Sequence, residues 1–257
     1  MKKTVPEIVS MKGKQRITAL TAYDFTFARL LDEAGLDIIL VGDSASMTVH
    51  GYPTTLPINL DEMLTHTRAV ARGVKNALVV GDMPFGSYQP APESGIASAI
   101  AFLKAGAEAV KIEGGAEFAP LVRELTGMGI PVMGHVGMLP QRVHSYGGFR
   151  LQKDRAILED ARAIAEAGAF SIVLEKIPAA LAREITDAIP VPTIGIGAGP
   201  GCDGQVLVLY DMLGLNPEFR PKFLKTYADG WGLLKKAVED YIREVKEGIY
   251  PDEEHSF

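Results

Sequence analysis

Residues 38–44 read Ile-Ile-Leu-Val-Gly-Asp-Ser, an apolar run closed by a glycine, a carboxylate and a hydroxyl. Residues 77–82, Ala-Leu-Val-Val-Gly-Asp, repeat the pattern, and residues 109–115 read Ala-Val-Lys-Ile-Glu-Gly-Gly. Each run is too short for a helix, which predicts three buried strands that carry polar groups at their C-terminal ends. Lys111 and Glu113 stand two residues apart, so their side chains point to the same face of the third strand.

Strand patterns of this kind alternate with helical patterns along most of the chain. Asp24 begins a helical pattern that ends at Gly35, and Asn59 with Glu62 forms a capping pair for the next helix. Eight strands within 257 residues, with polar groups after nearly every strand, favour a (β/α)8 TIM barrel, and an open doubly wound sheet is the alternative. The predicted strands are residues 17–23, 38–44, 77–82, 109–115, 131–135, 171–175, 193–199 and 206–210.

The length and composition are those of one globular domain. The chain is 47% hydrophobic and 23% charged, so residues 1–257 are expected to form a single barrel domain with a C-terminal helical tail. Aromatic and aliphatic residues recur at helical spacings over 217–248, and this tail either closes the barrel or packs against a neighbouring subunit.

Charge and cysteine content limit the classes of partner. The net charge of −6 is spread evenly, which argues against nucleic acid or an anionic membrane as the main partner and favours a small-molecule substrate. No apolar run approaches the ~18 residues of a membrane span, and the first residues lack a signal-peptide core, so a cytoplasmic location is expected. Cys202 is the single cysteine, which excludes an intrachain disulfide. We expect Cys202 to be a small packing residue in a glycine-rich loop rather than a nucleophile.

Three carboxylates stand at predicted strand ends, and they are candidate metal ligands. Asp43, Asp82 and Glu113 offer hard oxygen ligands of the kind that Mg²⁺ prefers. A 2-oxo acid bound to such an ion has a polarised carbonyl and a more acidic neighbouring carbon. The alternative for each aspartate is a cap on the following helix, and it is the combination of three carboxylates that favours a metal site.

Three further side chains at strand ends are candidates for catalysis. Lys111 is placed to bind a substrate carboxylate or to stabilise an enolate; a salt bridge or a Schiff-base role are the alternatives. His135 is a candidate polarising donor, and a structural histidine is equally compatible with its position. Glu175 is the candidate general base, against the alternative of an ion pair with Lys176 or an interaction with a helix.

Three loops follow predicted strands on the same side. Residues 45–57 are long enough to form an active-site flap, and residues 136–153 form the longest irregular stretch. The glycine-rich residues 195–199 resemble phosphate-binding loops late in barrels, but no basic residue is near them, so close backbone packing or a non-phosphate ligand is preferred.

Ordered motifs over residues 18–227 resemble the ketopantoate hydroxymethyltransferase family. The matching segments are residues 21–24 (Thr-Ala-Tyr-Asp), 41–44 (Val-Gly-Asp-Ser), 51–57, 66–70 (His-Thr-Arg-Ala-Val), 81–85 (Gly-Asp-Met-Pro-Phe), 110–115, 134–137 (Gly-His-Val-Gly), 174–175 and 195–205. Two positions depart from the family pattern. Ala45-Ser46 replaces a common Leu-Gly pair, which is expected to alter the flexibility of the adjacent loop, and Tyr210-Asp211 replaces a common His-Asp.

The resemblance implies a barrel of the phosphoenolpyruvate/pyruvate superfamily. It further implies the transfer of a hydroxymethyl group from 5,10-methylenetetrahydrofolate to 3-methyl-2-oxobutanoate, giving 2-dehydropantoate for pantothenate biosynthesis through a Mg²⁺-stabilised enolate. A homo-oligomer, commonly a decamer, is also implied. The residues implied are Asp43, Asp82 and Glu113 for metal, Asp43, Ser44, Asp82 and Lys111 for substrate, and Glu175, His135 and Lys111 for catalysis.

The sequence supports two alternative functions less well. A lyase or mutase of the same superfamily acting on a 2-oxo acid typically carries a cysteine in a catalytic loop, whereas Cys202 stands late in the chain. A non-catalytic barrel that serves as a binding or scaffold subunit would not need three metal-type carboxylates, a lysine and a base on one face.

Overall fold

Eight parallel strands close into a barrel in the computed structural model, which describes residues 2–257. Each strand pairs with the next along the chain, and the last pairs with the first, with Ile17 opposite Gly204. The (β/α)8 prediction is therefore confirmed over the open doubly wound sheet. The strands are β1 (Ile17–Thr21), β2 (Ile38–Val41), β3 (Leu78–Asp82), β4 (Ala109–Glu113), β5 (Val132–Gly137), β6 (Ser171–Glu175), β7 (Thr193–Ile196) and β8 (Gly204–Leu207).

Helices lie between most of the strands. They are α1 (Val5–Ser10), α2 (Phe25–Glu33), α3 (Ala45–Thr48), α4 (Leu60–Gly73), α5 (Pro92–Lys104), α6 (Ala119–Gly127), α7 (Ala156–Glu166), α8 (Ala179–Ala188), α9 (Leu209–Met212) and α10 (Gly230–Glu247). Short 3₁₀ turns occupy Ala116–Phe118, Pro140–Arg142 and Glu253–His255.

The helix starts follow local capping chemistry. Asp24 caps α2 by accepting a hydrogen bond from the backbone N–H of Phe27. Asn59 and Glu62 form the expected reciprocal capping box at the start of α4, where each side chain accepts from the other residue's backbone N–H. Local sequence therefore fixes where these two helices begin.

Strand register places the candidate site residues in neighbouring positions. Asp82 of β3 stands opposite Lys111 of β4, and Glu113 stands opposite His135 of β5. Glu175 of β6 follows opposite the end of β5. Since all strands are parallel, these side chains gather at the C-terminal face, where barrel enzymes build their active sites.

The N-terminal helix α1 was not predicted from the sequence. Thr4 and Glu7 form a capping box at its start, and this motif was readable in the sequence. Ile8 and Met11 are buried in the same apolar cluster as the side chains of the barrel strands. The first residues are therefore part of the barrel core.

The C-terminal part differs from the sequence prediction in two respects. The last strand was expected at 206–210 but is Gly204–Leu207, and the tail is helical only from Gly230 onward. The chain divides into two compact units, one ending at Val208 and the other spanning Leu209–Phe257. The single-domain expectation stays a prediction. Within residues 2–257, no helix combines the length and the apolar character needed to cross a membrane.

Candidate active site

A cluster of three buried carboxylates lies at the C-terminal ends of β2, β3 and β4. Asp43, Asp82 and Glu113 are only 2–3% exposed, and one oxygen of each lies within 4.8 Å of the others. We refer to these three residues as the acidic triad. The predicted convergence of these side chains is confirmed, and the group has the composition and spacing of a site for a divalent cation.

Lys111 supplies an ammonium group inside the triad. Its Nζ lies 2.6 Å from Oδ1 of Asp82 and 3.3 Å from Oε1 of Glu113. Burial alone would lower the pKa of Lys111, but the neighbouring carboxylates of Asp82 and Glu113 outweigh burial and raise that pKa. The lysine is therefore held in its charged form, and the salt-bridge alternative from the sequence describes its observed contacts.

One ammonium does not neutralise three carboxylates. Burial and then the charges of Asp82 and Glu113 raise the pKa of Asp43 well above its usual value. Burial also raises the pKa of Asp82, although Lys111 opposes the shift. For Glu113, burial is outweighed by Lys111 and His135, which lower its pKa to about 2. Burial and carboxylate repulsion thus disfavour the ionised form of the two aspartates, and a bound cation would relieve that repulsion.

The two aspartates do not cap helices. Oδ2 of Asp43 accepts from the side chain of Gln141, and Oδ2 of Asp82 accepts from the backbone N–H of Asp43. The residue before α5 is Ala91. The helix-cap alternative raised by the sequence is therefore wrong for both residues.

His135 lies between two carboxylates. Its Nδ1 is 3.5 Å from Oε1 of Glu113, and its Nε2 is 3.3 Å from Oε2 of Glu175. Burial and Lys111 lower the pKa of His135, but the carboxylates raise it to about 9 overall. Both ring nitrogens therefore face carboxylate oxygens, although neither contact among residues 2–257 has the direction of a good hydrogen bond.

Glu175 is placed at the end of β6, as predicted. Its side chain is 19% exposed, more than that of any triad member, and it faces His135. The neighbouring Lys176 instead donates through Nζ to the carbonyl of Phe149. Within residues 2–257, no ion pair joins Glu175 to Lys176, and the side chain of Glu175 is partly exposed.

Ser44 and the short helix α3 follow directly after Asp43. The hydroxyl of Ser44 lies 2.8 Å from that of Tyr23, which also accepts from Thr21. Ser46 stands where the family commonly has glycine. It lies in a helical turn, and its φ is not positive. Its Oγ donates to the carbonyl of Thr54, so serine fits here without strain and ties the loop together.

The loop of residues 45–57 is also connected to α4 through a pair of histidines. Nε2 of His50 lies 3.0 Å from Nε2 of His66, whose Nδ1 bonds the carbonyl of Tyr23. Because a carbonyl only accepts, Nδ1 of His66 donates to Tyr23, while Nδ1 of His50 lies 3.7 Å from Oε1 of Glu62. These histidines lie outside the acidic triad, and the flap role of the loop stays a prediction.

The glycine-rich loop serves backbone packing. A Cβ at Gly199, whose φ is +80°, would lie 2.5 Å from Cβ of Ala179, and one at Gly195 would lie 2.9 Å from Sγ of Cys202. Cys202 is itself 1% exposed. The packing interpretation of both the loop and the cysteine agrees with these contacts.

Two residues of the site were not singled out from the sequence, namely Gln141 and Tyr88. Gln141 contacts both Asp43 and Glu113, and the hydroxyl of Tyr88 contacts Gln141 and the backbone of Glu113. The only available signal was that Gln141 stands in the long loop after β5, which was expected to carry function.

Barrel and acidic triad together define the class of protein: a (β/α)8 enzyme fold with a carboxylate metal-type site at the C-terminal face. The architecture is similar to that of 2,3-dimethylmalate lyase, a member of the PEP mutase/isocitrate lyase superfamily, with a TM-score of 0.65 at 17% identity over 100% of this chain and 89% of that one. At that identity the likeness shows the fold alone.

Sequence comparison identifies the family within this class. Residues 2–253 match ketopantoate hydroxymethyltransferase. The 3-methyl-2-oxobutanoate hydroxymethyltransferase of Trichlorobacter lovleyi is 55% identical over 99% of this chain and 98% of its own. That of Syntrophus aciditrophicus is 54% identical over 99% and 96%. The chain belongs to the ketopantoate hydroxymethyltransferase family and is an enzyme of the hydroxymethyltransferase type.

Proposed function

We propose that the protein transfers a hydroxymethyl group from 5,10-methylenetetrahydrofolate to 3-methyl-2-oxobutanoate, giving 2-dehydropantoate in pantothenate biosynthesis. The observation that supports this most directly is the buried acidic triad, with its lysine and facing glutamate, in a chain of this family. Asp43, Asp82 and Glu113 are assigned to Mg²⁺. Asp43, Ser44, Asp82 and Lys111 are assigned to the substrate.

The acidic triad fits a magnesium ion on chemical grounds. Its donors are hard carboxylate oxygens with surplus negative charge, and Mg²⁺ is commonly held by carboxylates together with exchangeable waters. An ion held there would polarise the carbonyl of a bound 2-oxo acid and make the carbon next to it, C3, more acidic.

Lys111 acts by charge in this proposal. Its raised pKa keeps the amine protonated, so it is a poor nucleophile for a Schiff base. The ammonium instead binds the substrate's negative oxygens and stabilises the charge that develops when C3 loses its proton.

Glu175 is the proposed general base, and His135 assists it. The exposed edge of Glu175 accepts the proton from C3. The electron pair left on C3 attacks the methylene carbon of the folate and breaks one of its two bonds to folate nitrogen, and that nitrogen takes up the proton. His135 is protonated at neutral pH because its pKa is about 9, and it lies 3.3 Å from Glu175. It therefore donates to oxygen atoms of the bound acid and orients the base. Water then cleaves the bond to the folate nitrogen and supplies the oxygen of the hydroxymethyl group.

The test is proton NMR of 3-methyl-2-oxobutanoate in D₂O with protein and Mg²⁺. We expect the C3 proton to exchange for deuterium, and a chelator to stop the exchange. Glu175→Gln should abolish exchange and turnover while keeping Mg²⁺-dependent binding of the acid, and Glu166→Gln, at an exposed position on α7, is the matched control. If exchange is absent even with tetrahydrofolate added, the 2-oxo acid assignment is wrong; near-normal rates in Glu175→Gln remove its role as base.

Assembly and location remain predictions. A homo-oligomer, a decamer by resemblance, is compatible with α10, whose Trp231, Leu234, Val238 and Tyr241 are each more than half exposed. Sedimentation of the purified chain would measure its size. A cytoplasmic location is kept as an expectation.

A further inference from the structure

Gln141 is the residue through which the loop after β5 contacts the acidic triad. It lies in the 3₁₀ turn Pro140–Arg142 and is 5% exposed. Its backbone N–H donates to Oε2 of Glu113 at 3.1 Å, and its Nε2 donates to Oδ2 of Asp43 at 3.0 Å. One residue of the loop therefore binds two of the three carboxylates, which come from different strands.

The side-chain amide of Gln141 has a single possible orientation. Nε2 also donates to the carbonyl of Met83 at 3.0 Å, and a carbonyl only accepts, so the nitrogen must lie on that side. Oε1 accepts from the hydroxyl of Tyr88 at 2.8 Å and from Nε2 of Gln89 at 2.9 Å. Every donor and acceptor of the amide is occupied, so the group is locked in place.

Tyr88 supports this arrangement from the opposite side. It is 2% exposed, and its hydroxyl accepts from the backbone N–H of Glu113 at 3.2 Å. Burial and the charge of Glu113 raise its pKa well above the usual value, so the hydroxyl keeps its proton for donation. The ring packs edge-on against Phe118 with centroids 5.1 Å apart.

Gln141 holds the two carboxylates with neutral donors, the side-chain amide for Oδ2 of Asp43 and the backbone N–H for Oε2 of Glu113. A lysine or arginine side chain in place of the amide would also hold Asp43 but would neutralise negative charge that favours a cation. These two hydrogen bonds limit the rotation of both carboxylates. Outer hydrogen bonds of this kind orient metal ligands.

We propose that Gln141 is a positioning residue that holds Asp43 and Glu113 in the orientation that binds a divalent cation, and that it couples cation binding to the order of the loop of residues 138–153. This rests on the metal centre of the proposed function. The coupling is reciprocal: a cation that requires these carboxylate orientations also favours the docked loop, and an undocked loop weakens cation binding.

The experiment measures Mn²⁺ binding to the metal-free protein by electron paramagnetic resonance, without substrate. Gln141→Met keeps the side-chain length and the backbone N–H that binds Glu113, but it removes the side-chain donations to Asp43 and to the carbonyl of Met83. We expect a loss of affinity of about 10- to 100-fold. Gln152→Met is the matched control, because Gln152 lies in the same loop and its side chain donates to the carbonyl of Arg150 rather than to a member of the acidic triad, while its backbone bond to Lys176 is kept. The control should bind as the wild type does. Circular dichroism melts establish that each variant is folded.

Hydrogen exchange supplies a second readout. Mn²⁺ should slow amide exchange in residues 138–150 of the wild type and of Gln152→Met. At the same cation occupancy, the slowing should be much smaller in Gln141→Met. If Gln141→Met does not fold, Tyr88→Phe replaces it; it removes one bond that holds the amide and should weaken Mn²⁺ binding in the same direction.

The outcomes separate this inference from the metal centre itself. Asp82→Asn should lose Mn²⁺ binding; if it binds as tightly as the wild type, the acidic triad is not the metal site and both proposals fail. Alternatively, Asp82→Asn loses Mn²⁺ binding but the folded Gln141→Met protein, or Tyr88→Phe in its place, binds Mn²⁺ like the wild type. That result overturns only the role of Gln141. An unchanged exchange rate of the loop on Mn²⁺ binding overturns the coupling.

Discussion

Lys111 carries an ammonium group buried between two carboxylates, a placement that costs desolvation energy and is offset only by close partners. Asp82 and Glu113 supply those partners at 2.6 and 3.3 Å. Asp43 is buried beside Asp82 and Glu113, and burial together with their charges raises its pKa well above the usual value. At the scale of single residues, the acidic triad is therefore under charge repulsion, and the one non-glycine residue with positive φ in the described chain, Lys176, directly follows Glu175.

Asp211 is a buried carboxylate outside the acidic triad, and it has a testable pH dependence. Burial raises its pKa from 3.8 to about 6. The folded protein then binds this proton more tightly than the unfolded chain does, so the contribution to stability is full below pH 3.8 and is lost as pH rises through about 6. Asp211→Asn should remove this loss and stabilise the protein at pH 8 by about 2–3 kcal/mol, with little effect near pH 4.

Urea unfolding of the wild type and Asp211→Asn at both pH values checks this prediction. Asp187→Asn is the control, because Asp187 is exposed on α8 and should show no comparable gain. An equal stability change at pH 4 and pH 8 would show that the ionisation of Asp211 is not responsible.

At the scale of elements, the contact of β5 with α7 depends on a residue without a side chain. A Cβ added at Gly134 would lie 2.4 Å from Cγ2 of Ile164. Gly134→Ala should therefore push α7 away from the strand that carries His135, and it should destabilise the protein by about 1–3 kcal/mol.

A double-mutant cycle tests this contact. Ile164→Ala removes the obstructing methyl group, so in the Gly134→Ala background it should cost much less than the roughly 2–5 kcal/mol expected in the wild type. Gly127→Ala is the matched control, since a Cβ there has no atom within 4 Å. Additive effects of Gly134→Ala and Ile164→Ala, measured by denaturant unfolding, would contradict the contact.

At the scale of the whole molecule, the acidic triad joins β2, β3 and β4 through one prospective ligand. A cation bound only by the folded chain raises the free energy of unfolding by RT ln(1 + [L]/Kd), about 2.7 kcal/mol at one hundred times Kd. Mg²⁺ should therefore raise the melting temperature of the wild type, and excess chelator should reverse the rise.

Calorimetry with and without Mg²⁺ makes this measurement. Asp82→Asn should lose the Mg²⁺-dependent rise, whereas Asp61→Asn, at an exposed position in the first turn of α4, should keep it. A rise of the same size in Asp82→Asn would place the ion elsewhere.

The sequence by itself determined the barrel and the residues at its catalytic face. Apolar runs closed by Gly42-Asp43 and Gly81-Asp82 marked strand ends, because strand length and hydrophobicity are local properties. Parallel strands in a closed barrel bring all such ends to one face. The convergence of Lys111, Glu113 and His135 therefore followed from strand order and the period of two, and the structure confirms it.

Only the tertiary structure decided how those groups are held. Gln141 reaches Asp43 across 98 residues of sequence, and Tyr88 reaches Gln141 across 53. Contacts between loops leave no periodic signal, because each depends on the path of a whole loop rather than on neighbouring residues. The same holds for protonation: the opposite pKa shifts of Asp43 and Glu113 arise from burial and from distances to Lys111 that exist only after the barrel closes.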